Sequence, residues 1–291
     1  MVELLVVVAA IGILVAILIP TVAGVRARAL AASSRSNLHQ IGIALQAYAA
    51  QCGGFLPASV YPPRPPEPRF HWTDAVWPFL ERREVYLSPC LTEEERSRMT
   101  TPFAHDASLT FGGYGYNYQY LGNGRYNTTW SSPWNEPFHA RLGSSLAAPA
   151  RTIAVCDTNG SKADKVNNAG GRTLESPWTS QGTFTVDPPL ASLTIGSRGS
   201  RRADGGPTAS SNYGNEGGGD GVLVGEGGAA HSRPGDPVCR ATPAERNLGL
   251  VNVVFLDGHV EALSLRRLDD SDEDGEVDNG LWNGLGRPDI R

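Results

Sequence analysis

The stretch ELLVVVAAIGILVAILIPTVAGV, residues 3–25, decides the fold of this chain: Glu3 is its only charge and Thr21 its only uncharged polar side chain. As a helix, the 22 residues after Glu3 span about 33 Å, which matches the hydrocarbon core of a bilayer. A secretory signal peptide needs a positive segment ahead of its apolar run, whereas Glu3 is an acid. An ordinary membrane anchor explains the length, but neither the carboxylate at its head nor Pro20. The stretch therefore predicts a membrane-length helix with an unusual acidic residue at its start.

The helical pattern continues beyond Arg26. Apolar residues repeat at intervals of three and four at Ala29, Leu30, Ala32, Leu38, Ile41, Leu45 and Tyr48. The pattern closes near Cys52-Gly53-Gly54, which predicts one element of about 50 residues and about 75 Å. We therefore divide the chain into an assembly helix, residues 1–53, and a globular head, residues 54–291.

Composition limits what the head can be. The 291 residues are 40% hydrophobic and include 34 Gly and 21 Pro, which predicts a folded body rich in loops and turns. The net charge is −5, and the acidic run between Asp269 and Asp278 carries seven negative charges, so no basic field for nucleic acid exists elsewhere. The four cysteines form no Cys-x-x-Cys pair, which argues against a structural zinc site.

Alternating residues predict strands in the head. They fall at Tyr114–Tyr120, Thr152–Cys156 and Thr183–Val186. The clearest hairpin joins residues 250–256 to residues 259–264 through Asp257-Gly258, a pair that suits a type I′ turn. Together with the long helix, these strands predict an α+β fold in which the helix packs on an antiparallel sheet with long loops.

The amino-terminal residues resemble a known family. The segment 3–14, then Pro20, then residues 37–42 (NLHQIG), look like the first helix of type IV pilins and type II secretion pseudopilins. The resemblance implies a precursor in the inner membrane that prepilin peptidase cleaves, prepilin methylation, and polymerisation by pilus or secretion machinery into a fimbrium at the cell surface. It assigns assembly roles to Met1, Glu3, Gly12, Pro20 and Gly24.

The start of the chain departs from the family pattern, because only two residues precede Glu3. One interpretation places Met1 where the family has Leu, with a leader upstream of it. The other is a shorter amino terminus, which would remove the usual partner of Glu3.

Further residues resemble a subgroup of pilin-like proteins of planctomycete-type bacteria. Tyr114–Asn117, Pro89-Cys90 and Asp257-Gly258 fit its strand, its cysteine-containing turn and its terminal Asp-Gly. His231 is the counterpart of the subgroup's histidine, although it stands 26 residues ahead of Asp257. The Gly-rich tract 196–237 is then a long insertion, and composition alone would make it a flexible linker.

The acidic run carries a metal-binding pattern. Carboxylates at relative positions 1, 3, 5 and 9 with glycine at position 6 match the front of an EF-hand loop, which binds Ca²⁺ through oxygen ligands. The candidate ligands are Asp270, Asp272, Asp274, Glu276 and Asp278. Position 12 is Leu281 instead of Glu, so the site would need another acid or a water molecule, as in the shorter calcium loops of dockerin and thrombospondin repeats, which this run resembles. A solvated acidic tail is the alternative.

Three other predictions concern single residues and chemistry. The cysteines of an exported chain are expected to form disulfides, with Cys52–Cys90 and Cys156–Cys239 preferred among three connectivities and free thiols as the alternative. Asn127 heads a glycosylation sequon. No Gly-x-Ser-x-Gly, His-Glu-x-x-His or P-loop pattern occurs, so we expect no enzyme.

The sequence therefore predicts a pilin, a structural subunit that polymerises through its apolar helix with copies of itself. A minor pseudopilin of a type II secretion system is the first alternative. A membrane-tethered hydrolase or binding domain is the second.

Overall fold

The computed structural model describes residues 2–61, 70–80, 82–93, 95–96, 112–123, 138–158, 165–167, 173–175, 185–186, 188–189 and 243–289. Helix α1 runs without interruption from Val2 to Gln51, through Pro20. It ends where Gly53 and Gly54 adopt φ values of 64° and 90°, left-handed backbone that glycine tolerates best. The predicted length and end of the helix are confirmed.

The other elements are short. The strands are β1 Val60–Tyr61, β2 Phe70–His71, β3 Tyr114–Asn117, β4 Gly122–Asn123, β5 Phe138–His139, β6 Ile153–Asp157, β7 Lys165–Asn167, β8 Thr173–Glu175, β9 Thr185–Val186, β10 Val251–Phe255 and β11 Val260–Leu263. Short α-helices lie at Trp72–Val76, Tyr118–Leu121 and Leu265–Asp269. Single 3₁₀ turns lie at Trp77–Phe79, Arg83–Tyr86 and Pro149–Arg151.

One five-stranded sheet organises the head, in the order β11-β10-β6-β3-β9. The first four strands pair antiparallel, and β9 joins β3 in parallel. The pairs β1–β2, β4–β5 and β7–β8 form separate two-stranded sheets. The long helix and the antiparallel sheet confirm the predicted α+β fold.

The central strands of this sheet are covered on both faces. On one face, Leu38, Ile41 and Leu45 of α1 belong to the same buried cluster as Val155 and Val254. On the other face, carboxyl-terminal residues share a cluster with strand residues; its members include Ile153, Val251, Val253, Leu268, Leu281 and Trp282. Because successive strand residues point to opposite faces, β10 contributes Val254 to one cluster and Val253 to the other. The molecule therefore has three layers, with the sheet in the middle.

Two local predictions are wrong. The strand expected at Tyr114–Tyr120 ends at Asn117, whose side-chain amide donates to the carbonyls of Ile153 and Trp282, and a helical turn follows. The Asp257-Gly258 turn is not type I′, because Gly258 has a positive φ of 91° and Asp257 does not. Gly258 N donates to Phe255 O, so the turn is a type I turn closed by a glycine bulge.

Candidate assembly helix and metal centre

The amino-terminal half of α1 lies outside the head. Its large apolar side chains between Val2 and Val25 are 46–75% exposed, and the helix is apolar and long enough to cross a membrane. Glu3 is the only charged side chain of this segment and lies in the first helical turn. Gly12 and Gly24 have no atom within 4 Å of where a Cβ would stand. The predicted assembly residues 3–24 thus form one continuous, uncovered surface.

The carboxyl-terminal half of α1 carries a buried stripe. Ala31, Ser34, Leu38, Ile41, Gly42, Leu45 and Ala49 are buried against the head. Their spacing of three and four residues places them on one helical face. The predicted stripe is therefore shifted, because Ala29 and Ala32 are exposed and Ala31 is buried.

The Asp257-Gly258 turn packs on this stripe. His39 Nδ1 lies 3.0 Å from Gly258 O, and Gln46 Nε2 donates to Leu256 O over 3.2 Å. A Cβ on Gly258 would lie 3.0 Å from Gln46 Nε2, and the φ of 91° is itself a glycine conformation. The backbone conformation thus favours glycine here, an added Cβ would also displace Gln46, and the signature pair fixes the sheet to the helix.

A buried carboxylate, Asp157, ties four parts of the head together. Asp157 Oδ2 accepts from Asn247 Nδ2 at 2.6 Å and from Asn252 N at 3.0 Å, and Oδ1 lies 3.5 Å from Ser88 Oγ. Asn247 Oδ1 in turn lies 3.2 Å from Cys90 Sγ. The group joins the end of β6 to the Cys90 turn, to the loop before β10 and to β10 itself.

Burial dominates the electrostatics of this group. Desolvation raises the pKa of Asp157 to about 7, although Arg246 and the three hydrogen-bond donors oppose the shift. Burial likewise raises the pKa of Cys90 to about 11, with a further contribution from the charge of Asp157. A thiol with so high a pKa is a poor nucleophile at neutral pH. The arrangement therefore suits a structural role better than nucleophilic catalysis.

The acidic run folds into a closed loop behind the sheet. Asp270 Oδ1 accepts from Asp274 N at 3.1 Å, and Asp270 Oδ2 accepts from Gly275 N at 3.0 Å. Asp278 Oδ2 accepts from Ser271 N at 2.6 Å, and Gly275 has a φ of 95°. Glycine at position 6 therefore makes the sharp turn that the pattern predicts.

Three of the five predicted ligands come together. One carboxylate oxygen from each of Asp270, Asp272 and Asp278 lies within 4.8 Å of the others. Two oxygens on one Ca²⁺ are separated by up to about 5 Å, twice the usual bond length. Asp274 and Glu276 do not belong to this group.

The loop combines mutually repelling carboxylates with an unsatisfied buried hydroxyl. The pKa of Asp272 is raised, by desolvation first and then by the carboxylates of Asp274, Asp278 and Asp270. Ser271 Oγ has no hydrogen-bond partner, although the residue is only 2% exposed. It lies beside Asp278 Oδ1, since a Cβ built on Gly280 would meet both atoms within 3 Å. An unsatisfied buried hydroxyl next to converging carboxylates is a further oxygen donor for a hard cation.

The segment after the acidic loop packs against the head through Trp282, as the sequence predicts. Trp282 is fully buried, and its Nε1 donates to Leu268 O at 3.0 Å. Ile153 N on β6 donates to Leu281 O at 2.8 Å. The carboxyl-terminal segment is therefore a packed layer of the head, and the solvated-tail alternative is excluded for Leu281 and Trp282.

The predicted Cys52–Cys90 disulfide is wrong. Cys52, Cys90 and Cys156 are free thiols. The free thiol of Cys156 also contradicts the predicted Cys156–Cys239 disulfide, although Cys239 itself lies outside the described residues. A chain of hydrogen bonds connects Cys90 to α1 near Ala31. It runs through Asn247, Asp157 and Asn252, and Asn252 Nδ2 donates to Ala31 O. Cys52 is 21 helical residues, or about 31 Å, further along α1, well beyond disulfide reach.

Several predicted residues lie outside the described part of the chain: Met1, Asn127, His231 and the insertion 196–237. Sequence reasoning missed Asp157, Asn247 and Gly42. The signal for Asp157 was a carboxylate directly after the apolar run that became β6. Asn247 carries no comparable local pattern, and the segment 37–42 that contains Gly42 did not indicate its contact with Val254, because both roles depend on distant partners.

Comparison with known protein families matches one part of the chain. Residues 25–88 match a family model described as "Protein of unknown function (DUF1559)". The match covers less than a quarter of the chain and begins where the apolar segment ends. No curated protein and no solved structure matches the chain significantly.

Proposed function

We propose that this chain is a structural subunit that polymerises through α1 into an extracellular filament of the type IV pilus kind. The observation that carries the proposal is the uncovered apolar half of α1, residues 4–25, which continues without a break into a helix stripe that the head buries. So large an apolar surface needs a lipid or protein environment. A membrane provides it before assembly, and copies of the same helix provide it in a filament.

Glu3 supports assembly over simple anchoring. A carboxylate at the head of an apolar helix is costly in lipid or in a helix bundle unless it is paired. An amino-terminal amine, of the same or a neighbouring chain, is a suitable partner. The pairing would set the axial position of one subunit against the next.

The proposed role is structural and not enzymatic. Asp157, one of the buried titratable groups of the head, is used for internal hydrogen bonds, and Cys90 has a raised pKa. Prepilin peptidase and the pilus assembly machinery are the proposed partners, by resemblance of residues 3–14 and 37–42 to pilins.

We also propose that the acidic loop binds Ca²⁺ through Asp270, Asp272 and Asp278. The closed loop, the converging oxygens within 4.8 Å and the unsatisfied hydroxyl of Ser271 support the site. The ion would tie the short helix Leu265–Asp269 to the buried segment at Trp282. Its role would be to hold the carboxyl-terminal layer on the sheet.

Cryo-electron microscopy of material sheared from the cell surface tests the filament. Long filaments whose density fits this chain are the expected result. Cells that carry the chain at normal levels, with only short assemblies beneath the outer membrane, would favour the pseudopilin alternative. A monomeric membrane-bound chain with no polymer would contradict the proposal and favour a tethered domain.

A further inference from the structure

Three arginines surround α1 directly beyond its apolar segment. Arg26, Arg28 and Arg35 are exposed, and none of them has a hydrogen bond or an ion pair within the described residues. The sequence has no acidic residue between Glu3 and Glu67. This part of the helix therefore carries an unbalanced positive charge.

The axial positions of these arginines match a membrane surface. If Val25 marks the end of the span, Arg26 and Arg28 lie within about 5 Å of it along the axis, inside the headgroup layer. Arg35 lies about 15 Å beyond Val25, roughly a Debye length outside that layer. Arg28 and Arg35 share one helical face, since seven residues make nearly two turns. The guanidinium groups of Arg26 and Arg28 can thus contact phosphates on opposite sides of the helix, whereas Arg35 adds longer-range attraction to an anionic surface.

A second feature lies at the same end of the head. Leu248 is 62% exposed and has a φ of 60°, in a tight turn that Asn247 and Leu250 close with two backbone hydrogen bonds. An exposed leucine in left-handed backbone is doubly unfavourable in water, because neither its side chain nor its conformation is satisfied. The tip thus presents an exposed apolar side chain on strained backbone.

The contacts of β10 orient this turn toward the span. Val254 meets α1 at Gly42, whereas Asn252 Nδ2 donates to Ala31 O, eleven residues nearer the apolar segment. The chain before β10 therefore continues toward the end of the head that faces the span. Leu248 is four residues from Asn252, within about 14 Å. The turn tip and the arginines therefore lie toward the same end of the head, and we call these four residues the rim.

We infer that this rim, Arg26, Arg28, Arg35 and Leu248, is a docking surface for anionic phospholipid headgroups. The inference rests on the membrane-inserted state of the proposed function. Each arginine near an anionic surface contributes about fivefold in binding, and Leu248 would enter the headgroup boundary. Before assembly, the head of a membrane-inserted subunit would then lie on the bilayer surface. The head would leave that surface when the helices of neighbouring subunits replace the lipid around α1.

Hydrogen–deuterium exchange of the full chain in nanodiscs tests the rim. One disc contains phosphatidylcholine alone, and the other contains equal phosphatidylcholine and phosphatidylglycerol. We expect exchange in peptides covering residues 246–252 to slow at least fivefold in the anionic disc only, and 0.5 M salt to abolish the difference. Equal exchange in the two discs would overturn the inference.

Two variants separate the charge from the leucine. Combined Arg26→Gln, Arg28→Gln and Arg35→Gln should remove the lipid dependence, whereas Leu248→Gly, which relieves the backbone strain, should remove the slowing in residues 246–252. The matched control replaces three exposed arginines elsewhere on the head, Arg82, Arg83 and Arg151, with Gln and should keep it. A lipid effect that survives the first variant would refute the role of the rim.

The experiment also distinguishes this inference from its premise. A chain that enters neither disc contradicts the membrane-inserted state itself. If the chain enters both discs and its amide exchange slows equally in both, in proportion to the number of copies per disc, the rim contacts protein. In that case the lipid inference fails while the proposed function stands.

Discussion

A Cβ placed on Gly42 of α1 would lie 2.7 Å from Cγ2 of Val254, so helix and sheet meet there with no room for a side chain. Gly42→Ala should therefore destabilise the head, because overpacking costs about 1–3 kcal/mol. The higher helix propensity of alanine offsets about 1 kcal/mol of that cost. The measurement is thermal unfolding of the full chain in detergent. Gly24→Ala, where the added carbon meets nothing within 4 Å, is the control and should not destabilise the head. Equal melting temperatures for both variants would contradict this packing.

Asp157 predicts a pH dependence of stability. Because burial raises its folded pKa to about 7, above the unfolded value of about 4, its favourable contribution is complete below pH 4 and is lost as the pH rises through 7. The slope is up to about 1.4 kcal/mol per pH unit between these values. Asp157→Asn keeps an acceptor for Asn247 and Asn252 and should flatten this part of the unfolding free energy.

The measurement is urea unfolding of both proteins at several pH values from 4 to 8. The difference between Asp157→Asn and the parent should grow in favour of the variant as the pH rises. Glu84 is the control, since its pKa is lowered, mainly by a backbone hydrogen bond, and Glu84→Gln should bring no gain at neutral pH. A constant difference across the range would mean that Asp157 is ionised throughout.

Calcium should stabilise the carboxyl-terminal layer. At a hundredfold excess over the dissociation constant, Ca²⁺ adds about 2.7 kcal/mol to the free energy of unfolding, whereas Mg²⁺ should add less because it keeps its water. The measurement is the melting temperature with calcium and with chelator. Asp272→Asn with Asp278→Asn should remove the response, and Glu273→Gln, whose carboxylate pairs with Arg267 at 3.2 Å, should retain it. An unchanged melting temperature after chelation of the parent would eliminate the site.

Glu3→Ala should reduce filament yield and leave membrane insertion intact, because the apolar segment keeps its length while the chain loses the carboxylate that we propose pairs with an amino-terminal amine. Sheared filaments and membrane fractions are quantified by immunoblot. Glu261→Ala, at an exposed head carboxylate, is the control and should assemble normally. Normal filament yield from Glu3→Ala would refute the proposed pairing.

The free cysteines should differ in reactivity. Cys52 is exposed, Cys90 is partly covered and has a raised pKa, and Cys156 is buried with its pKa also raised. Maleimide at neutral pH should therefore modify Cys52 first, Cys90 slowly and Cys156 only after unfolding. Peptide mapping by mass spectrometry identifies the sites. If Cys52 and Cys90 react with maleimide only after a reductant is added, the predicted Cys52–Cys90 disulfide exists.

The long helix, its end and the hairpin partners were predictable because each depends on neighbours within a few residues. The apolar run after Glu3, the glycines at 53 and 54, and the spacing of Asp270 and Gly275 carry their information locally. The strand end at Asn117 was not predictable, since its side chain bonds to Ile153 and to Trp282, 165 residues away. The free state of Cys52 and Cys90 likewise depends on the position of each along α1.

The order of the strands bears on how the molecule is made. β10 lies between β11 and β6 and covers α1, yet it begins at residue 251 of 291. About 200 residues separate the end of α1 from β10, so the apolar segment is synthesised long before the strand that completes the sheet. Because long-range strand pairing is slow, α1 is expected to enter the membrane while its head is still unfolded, and the head to fold after translocation. In that interval the stripe at Leu38 and Ile41, which the folded head buries, would still be exposed and could bind a chaperone.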